Sequence, residues 1–277
     1  MPIDFEPFIH PMDRQALNAL KKIPMLDTIL KKYMKTVDEN LLHGINMVSM
    51  VKLGRNQLPE IYKMLQEICS SLKISEPEFY LQMNPIPNAY TSGDTRPFIV
   101  INTGIIDLLR PEELKAVIAH ECGHILCHHV LYHTLANHLL ILGTGFFSDL
   151  KDIVIAPLKW ALLYWIRRSE FSADRVAAYV MNDSGIIVNT MLRLAGGKSE
   201  ITHNVNIEEF LQQAIEYRKD IDESKFNKFL QAIAIKDQTH PFAAIRAIEV
   251  REWFEKMHDE LQDCINDDNL YQNIVLK

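Results

Sequence analysis

The sequence has no cluster of Lys and Arg. Its 277 residues carry 29 basic against 36 acidic side chains, a net charge of −7. Binding a polyanion needs clustered positive charge, so nucleic acid is excluded as the main partner. The short basic pairs Lys21–Lys22, Lys31–Lys32 and Arg167–Arg168 read as solvated helix faces. There are only four cysteines and no C-x-x-C pair. Cys122 and Cys127, five apart on one expected helix, point about 140° apart and are poorly placed for a disulfide. Four reduced thiols imply a reducing compartment, and the cytoplasm is expected. The start, MPIDFEPFIHPMDRQ, lacks the basic-then-apolar pattern of a secretory signal. No apolar run reaches the roughly 20 residues of a membrane span. Leu139–Phe147 is too short, and Ile153–Ile166 is interrupted by Pro157 and Lys159. Both read as buried core. Peripheral membrane contact through Phe146, Phe147, Trp160 and Trp165 is the alternative.

Neither an internal repeat nor a low-complexity linker is present. Residues 13–35 read as a helix interrupted at Pro24. Leu58, Ile61, Tyr62, Leu65, Ile68 and Leu72 recur at helical spacing behind Pro59. Glu78–Met83 and Phe98–Asn102 read as strands, with turn residues and a short strand around Ala89–Thr91 between them. From Pro111 the pattern is helical almost to the end, with Glu112 and Glu113 favouring the helix start. Helices are expected over 160–181, 184–195, 206–218, 224–235 and 241–262. The expected class is α+β, mainly helical, with a small mixed sheet. Residues 1–57 read as a helical extension packing on a 58–262 body and taking no part in the metal motif, with 263–277 as a tail.

Ala116–His133, AVIAHECGHILCHHVLYH, holds five histidines in eighteen residues. His120-Glu121-Cys122-Gly123-His124 fits H-E-x-x-H, whose two histidines share one helix face at i and i+4. Both imidazoles can reach one Zn²⁺ at about 2.0–2.1 Å. Glu121, beside the ion, is placed to take a proton from the attacking water. Gly123 keeps the helix surface low, so that another chain can approach. His128 continues the i+4 ladder but lies roughly 12 Å along the axis from His120, too far to share its ion. His124/His128 and His129/His133 could each hold a metal as pairs. A structural or surface role is expected for His128, His129, His133 and His138. A catalytic ion needs a third protein ligand. Glu170 and Asp174, again i and i+4, supply a ligand and an acceptor for the second ring N–H of a ligating histidine.

Together these motifs resemble the HtpX-like zinc peptidases, which include the zinc CaaX prenyl proteases and OMA-type quality-control proteases. The resemblance covers about residues 58–250. It includes Asn88-Ala89, the strand FIVINTG at Phe98–Gly104, the helix entry PEELKAVIAH, and His240-Pro241 followed by Arg246. It implies a gluzincin-like fold with one Zn²⁺ per chain. It further implies that the strand of Phe98, Ile99 and Val100 is a sheet edge flanking the cleft, where an extended peptide or protein substrate pairs, with Asn88 and Ala89 nearby. His240 would donate to the developing oxyanion, and Arg246 would position it or the substrate. The residues themselves leave His240 equally readable as a helix-capping histidine.

The expected activity is metal-dependent endopeptidase cleavage, with Glu121 and His240 as catalytic groups and His120, His124 and Glu170 as ligands. Two other readings remain: a zinc-stabilised, chaperone-like peptide binder, and a peripheral membrane scaffold using residues 139–166.

Overall fold

The computed structural model describes residues 2–24, 26–36, 39–141, 152–222 and 242–275. Helices α1 (Pro11–Leu20) and α2 (Leu26–Thr36) flank Pro24, whose ring cannot continue a helix. The ring of His10 caps α1 by accepting from Met12 N–H at 3.1 Å. Helix α3 (Glu39–Ser49) and the two-residue strand β1 (Val51–Lys52) were not expected from the pattern. Helix α4 (Pro59–Leu72) starts on Pro59 and buries Leu65, Ile68 and Leu72. Its i, i+3, i+7 stripe faces the sheet and the helices behind it.

The sheet has the order β1-β2-β4-β3, with β2 at Glu78–Gln82, β3 at Ala89–Ser92 and β4 at Phe98–Asn102. β2 and β4 are parallel, while β1 and β3 run antiparallel to their neighbours. This corrects one expectation. The strand of Phe98, Ile99 and Val100 is not an edge, because β2 pairs with one side of it and β3 with the other. Its unbroken apolar run is the signature of a strand buried on both faces. Ile99 and Ile101 join the helical core, and Phe98 and Val100 pack with Tyr80 on the opposite face. The edge beside the cleft is β3.

Helix α5 (Thr103–Leu108) is capped by Asn102, whose Oδ1 accepts from Ile105 N–H at 3.1 Å. Helix α6 (Pro111–Leu126) begins with Glu113 accepting from the Arg110 N–H at 2.9 Å. It then runs through the core with most of its residues buried. It does not continue through the histidine-rich stretch. At His128 the backbone turns left-handed, φ 57°. His129 N–H bonds His124 C=O at 2.9 Å and His128 N–H bonds Ile125 C=O at 3.2 Å. This is a Schellman closure built without glycine. The i+4 ladder therefore stops before His128, and α7 (Val130–Ile141) leaves in a new direction.

Helix α8 (Asp152–Met181) crosses α6 and contains Pro157 inside its length. A Cβ on Gly123 would lie 3.1 Å from the Ala173 Cα and carbonyl oxygen. The chain that Gly123 lets approach is thus α8. Helices α9 (Ser184–Gly196), α10 (Ser199–Thr202), α11 (Ile207–Asp222) and α12 (Ala243–Val275) complete the helical layer. α12 extends beyond residue 262, where the sequence pattern ends it. The helix expected at 224–235, and His240-Pro241, lie outside the described residues, as do Phe146 and Phe147.

The N-terminal helices share a second core with α7 and α8, formed by Leu20, Leu26, Ile29, Leu135, Leu162 and Trp165 among others. Trp165 is fully buried and donates to Asp13 at 2.8 Å, so it offers nothing to a membrane; Trp160 is exposed. Among the described residues no helix is long and apolar enough to cross a membrane.

Candidate metal centre

The crossing of α6 and α8 brings His120, His124, Glu170 and Asp174 together, all buried. Each pair is one helical turn apart, so α6 presents two imidazoles and α8 two carboxylates across one gap. His120 Nε2 and His124 Nε2 are 3.2 Å apart. Glu170 Oε2 is 3.5 Å from the first, and its Oε1 is 3.4 Å from the second. Donors of a tetrahedral ion bonded at about 2.0–2.1 Å lie about 3.3 Å from one another. The three side chains therefore fit one face of such an ion.

The surrounding bonds decide which way the rings face. His120 Nδ1 is 2.9 Å from Asp174 Oδ1, and His124 Nδ1 is 3.0 Å from His129 Nδ1. With both Nδ1 atoms donating outward, both Nε2 atoms face inward at one another and at Glu170, an arrangement a shared cation satisfies. Arg246 on α12 donates to Asp174 from Nε at 2.8 Å and from Nη2 at 2.7 Å. Its Nη1 lies 3.1 Å from Glu170 Oε2. Arg246 thus braces the two acids.

Electrostatics favour positive charge in the gap. Burial opposes charging His120, yet Asp174 and Glu170 outweigh it and hold the ring up at about 10 in the metal-free protein. Burial pushes His124 down, and the charge on His120 adds to this. Burial would raise Asp174, but Arg246 and His120 keep it below the usual carboxylate range. Once an ion replaces the His120 proton, two acids against one arginine leave the pocket net-negative, suited to a divalent ion.

Glu121 sits beside this face, buried, and its Oε2 accepts from Thr91 Oγ1 at 2.6 Å. Thr91 lies on β3, so the edge strand and the acid are directly tied. Two cavities meet at Glu121. One, of about 210 Å³, is lined by Ile105, Val117, Ile187 and Met191. The other, of about 410 Å³, is lined by Tyr90, Ser92, Phe98 and His133. Asn88 lines both. Ala89 lines the smaller one.

A profile of peptidase family M48 matches residues 55–254. The chain is 35% identical over 254 residues to a plastoglobule-localized metallopeptidase 48, chloroplastic, of Arabidopsis thaliana, covering 91% of this chain and 73% of that protein. It is 24% identical over 169 residues to a protease HtpX homolog 2 of Methanosarcina mazei, covering 52% of this chain and 58% of that protein. With a protease HtpX homolog of Sulfurihydrogenibium it shares 25% over 187 residues, 57% of this chain and 62% of that protein.

The chain belongs to peptidase family M48.

It is an HtpX-like metallopeptidase, and the family name implies a metal. In this M48 peptidase, Ile99 and Val100 are sealed inside the sheet and line neither cavity. Of the three β4 residues expected to touch substrate, Phe98 lines the larger of these two cavities and the other two line neither. Thr91 was missed: the sequence suggests its strand but not its partner across the cleft. Asp13 was missed as well, and His129, read as structural or as half of a metal pair with His133, lies buried against His124. Asp13 Oδ2 lies 3.1 Å from His129 Nε2, so the segment 1–57, expected to take no part, reaches the neighbour of a candidate ligand. Its signal was an acid in the first turn of a helix, which equally reads as ordinary capping.

Proposed function

We propose that this M48 peptidase is a zinc-dependent endopeptidase that cleaves extended segments of protein. His120, His124 and Glu170 hold the ion, and Glu121 is the general base. The observation carrying this reading is the donor triangle of 3.2 to 3.5 Å with Glu121 fixed beside it by Thr91. A zinc ion held there supplies a Lewis acid that makes water nucleophilic near neutral pH and polarises the scissile carbonyl.

The chain's own groups do the rest. A peptide lying antiparallel along the free side of β3 gives its main-chain N–H and C=O groups partners, and its side chains fall alternately into the two cavities. The smaller cavity is mostly aliphatic and accepts an apolar side chain. Glu121 takes the proton of the attacking water at its carboxylate and later gives it to the leaving amine. Thr91 holds that carboxylate in reach of both. Asp174 keeps the His120 proton on Nδ1, leaving Nε2 as the donor. His240, whose oxyanion role rests on the family resemblance, remains part of the proposal.

Zinc content and casein cleavage test this together. Glu121→Gln is expected to keep one zinc per chain and lose at least 1,000-fold in cleavage, an order of magnitude set by the loss of a general base and its proton relay. Glu170→Ala is expected to lose both metal and cleavage. Cleavage undiminished in Glu121→Gln would sink the base assignment. Tight zinc in a wild type that cuts no unfolded protein would favour the peptide-holding alternative.

A further inference from the structure

His129 is 1% exposed and belongs to no part of the proposed ligand set. Its ring lies between His124 and Asp13, with Nδ1 3.0 Å from His124 Nδ1 and Nε2 3.1 Å from Asp13 Oδ2. Asp13 is itself fully engaged. Its Oδ1 accepts from Trp165 Nε1 at 2.8 Å, and its Oδ2 accepts from Ser172 Oγ at 2.6 Å. Ser172 Oγ in turn accepts from His10 N–H at 3.0 Å. Burial would raise the Asp13 carboxyl, but His129 and these donors hold it below the usual range.

One proton placement satisfies every group. A His124 that offers Nε2 to an ion must carry its proton on Nδ1. That proton points at His129 Nδ1, which must then accept. The His129 proton is thereby placed on Nε2 and points at Asp13, which only accepts. The direction of the chain is set by the carboxylate at its far end.

We propose that Asp13 and His129 are positioning residues for the metal centre, acting as a relay that fixes the tautomer and ring plane of His124. This rests on the zinc-peptidase reading above and adds a component supplied by the N-terminal segment. The two ligand histidines are then braced differently. His120 is held directly by a carboxylate that Arg246 neutralises, and His124 is held through an imidazole by a carboxylate on α1. The same three rings, His124, His129 and His133, also bring nitrogen atoms within 4.8 Å of one another. A second cation there would need His124 Nδ1 stripped of its proton, whereas the relay needs no unusual species.

Zinc affinity, measured by chelator competition on the full chain, tests the relay without relying on activity. His129→Phe keeps the aromatic shape against Trp165 and removes both nitrogens. It is expected to weaken zinc by about 10- to 100-fold, the usual effect of losing a partner behind a ligand. His129→Gln places an amide oxygen toward His124 and an amide N–H toward Asp13, and is expected to stay within about threefold of wild type. Asp13→Asn, isosteric and independent of the ring packing, is expected to weaken zinc in the same direction as His129→Phe. Equal zinc affinity in all three variants and wild type would overturn the relay while leaving the peptidase reading intact. Gln weakening zinc as much as Phe would overturn it as well, since packing alone would then explain the loss. Two zinc ions per wild-type chain, with one lost in His129→Phe, would replace it by a second metal site. A folded wild type that takes up no zinc would overturn both readings.

Discussion

At the scale of single residues, the site depends on how each donor is held. Thr91 donates to Glu121 at 2.6 Å from the edge strand. Thr91→Val keeps the shape and removes a bond to a charged group, which is worth about 1.5–3 kcal/mol. The expected result is a fall in kcat/KM of roughly 10- to 100-fold with zinc content unchanged, read by steady-state kinetics alongside elemental analysis. His120, His124, Glu170 and Asp174 were legible in the sequence because i, i+4 spacing on a helix already fixes a shared face. Thr91, Asp13 and the tie of His129 to both His124 and Asp13 were not, because each becomes relevant only through a partner elsewhere in the fold. His129 is five residues beyond His124. On a continuous helix the two rings would point about 140° apart. The left-handed turn at His128 brings them together, and His128 carries none of the glycine signal that normally marks such a turn.

At the scale of elements, the α6–α8 crossing governs the geometry. Gly123→Ala would press a methyl group onto the backbone of Ala173, which cannot move aside as a flexible side chain can. Overpacking of this kind costs about 1–3 kcal/mol. A lower urea midpoint is expected in the metal-free protein, with weaker zinc binding because Glu170 rides on the displaced helix. The sheet carries its own clamp. Glu78 accepts from His43 at 2.8 Å, Arg96 at 2.7 Å, Tyr80 at 2.9 Å and Lys52 at 3.2 Å. Burial would raise this acid, but His43, Arg96 and the other donors bring it down to about 2 from an ordinary 4.5. A carboxyl lowered on folding stabilises fully above its unfolded value and loses that contribution as pH falls through its folded value. Wild type should therefore lose stability between about pH 4.5 and 2 more steeply than Glu78→Gln, as denaturant titrations at stepped pH would reveal. Element types were largely legible from periodicity, whereas strand order was not. An apolar five-residue strand looks alike to a reader whether it is central or at an edge flanked by helices, and here it is central.

At the scale of the whole molecule, two cores meet at the metal centre. One is built on the sheet with α4, α6, α9 and α12, and the other joins α1 and α2 to α7 and α8. A ligand that binds only the folded state raises its stability by mass action. Zinc added to the metal-free protein is expected to raise the unfolding temperature, and His124→Ala should abolish the rise, as scanning calorimetry would record. The mainly helical α+β class was legible because the helical periods are long and the strands few. The tie between residue 13 and residue 129 was invisible, since no local pattern spans that distance.

Arg246 has a consequence for biogenesis. Glu170 and Asp174 are two buried acids facing one gap, and their guanidinium partner comes from a helix that starts only at Ala243. Before residue 246 is in place, only the histidine rings of α6 stand against the two acids. Contacts this distant in sequence form late, because a long loop must close before they are rewarded. The two acids thus gain their guanidinium brace only when α12 docks against α8.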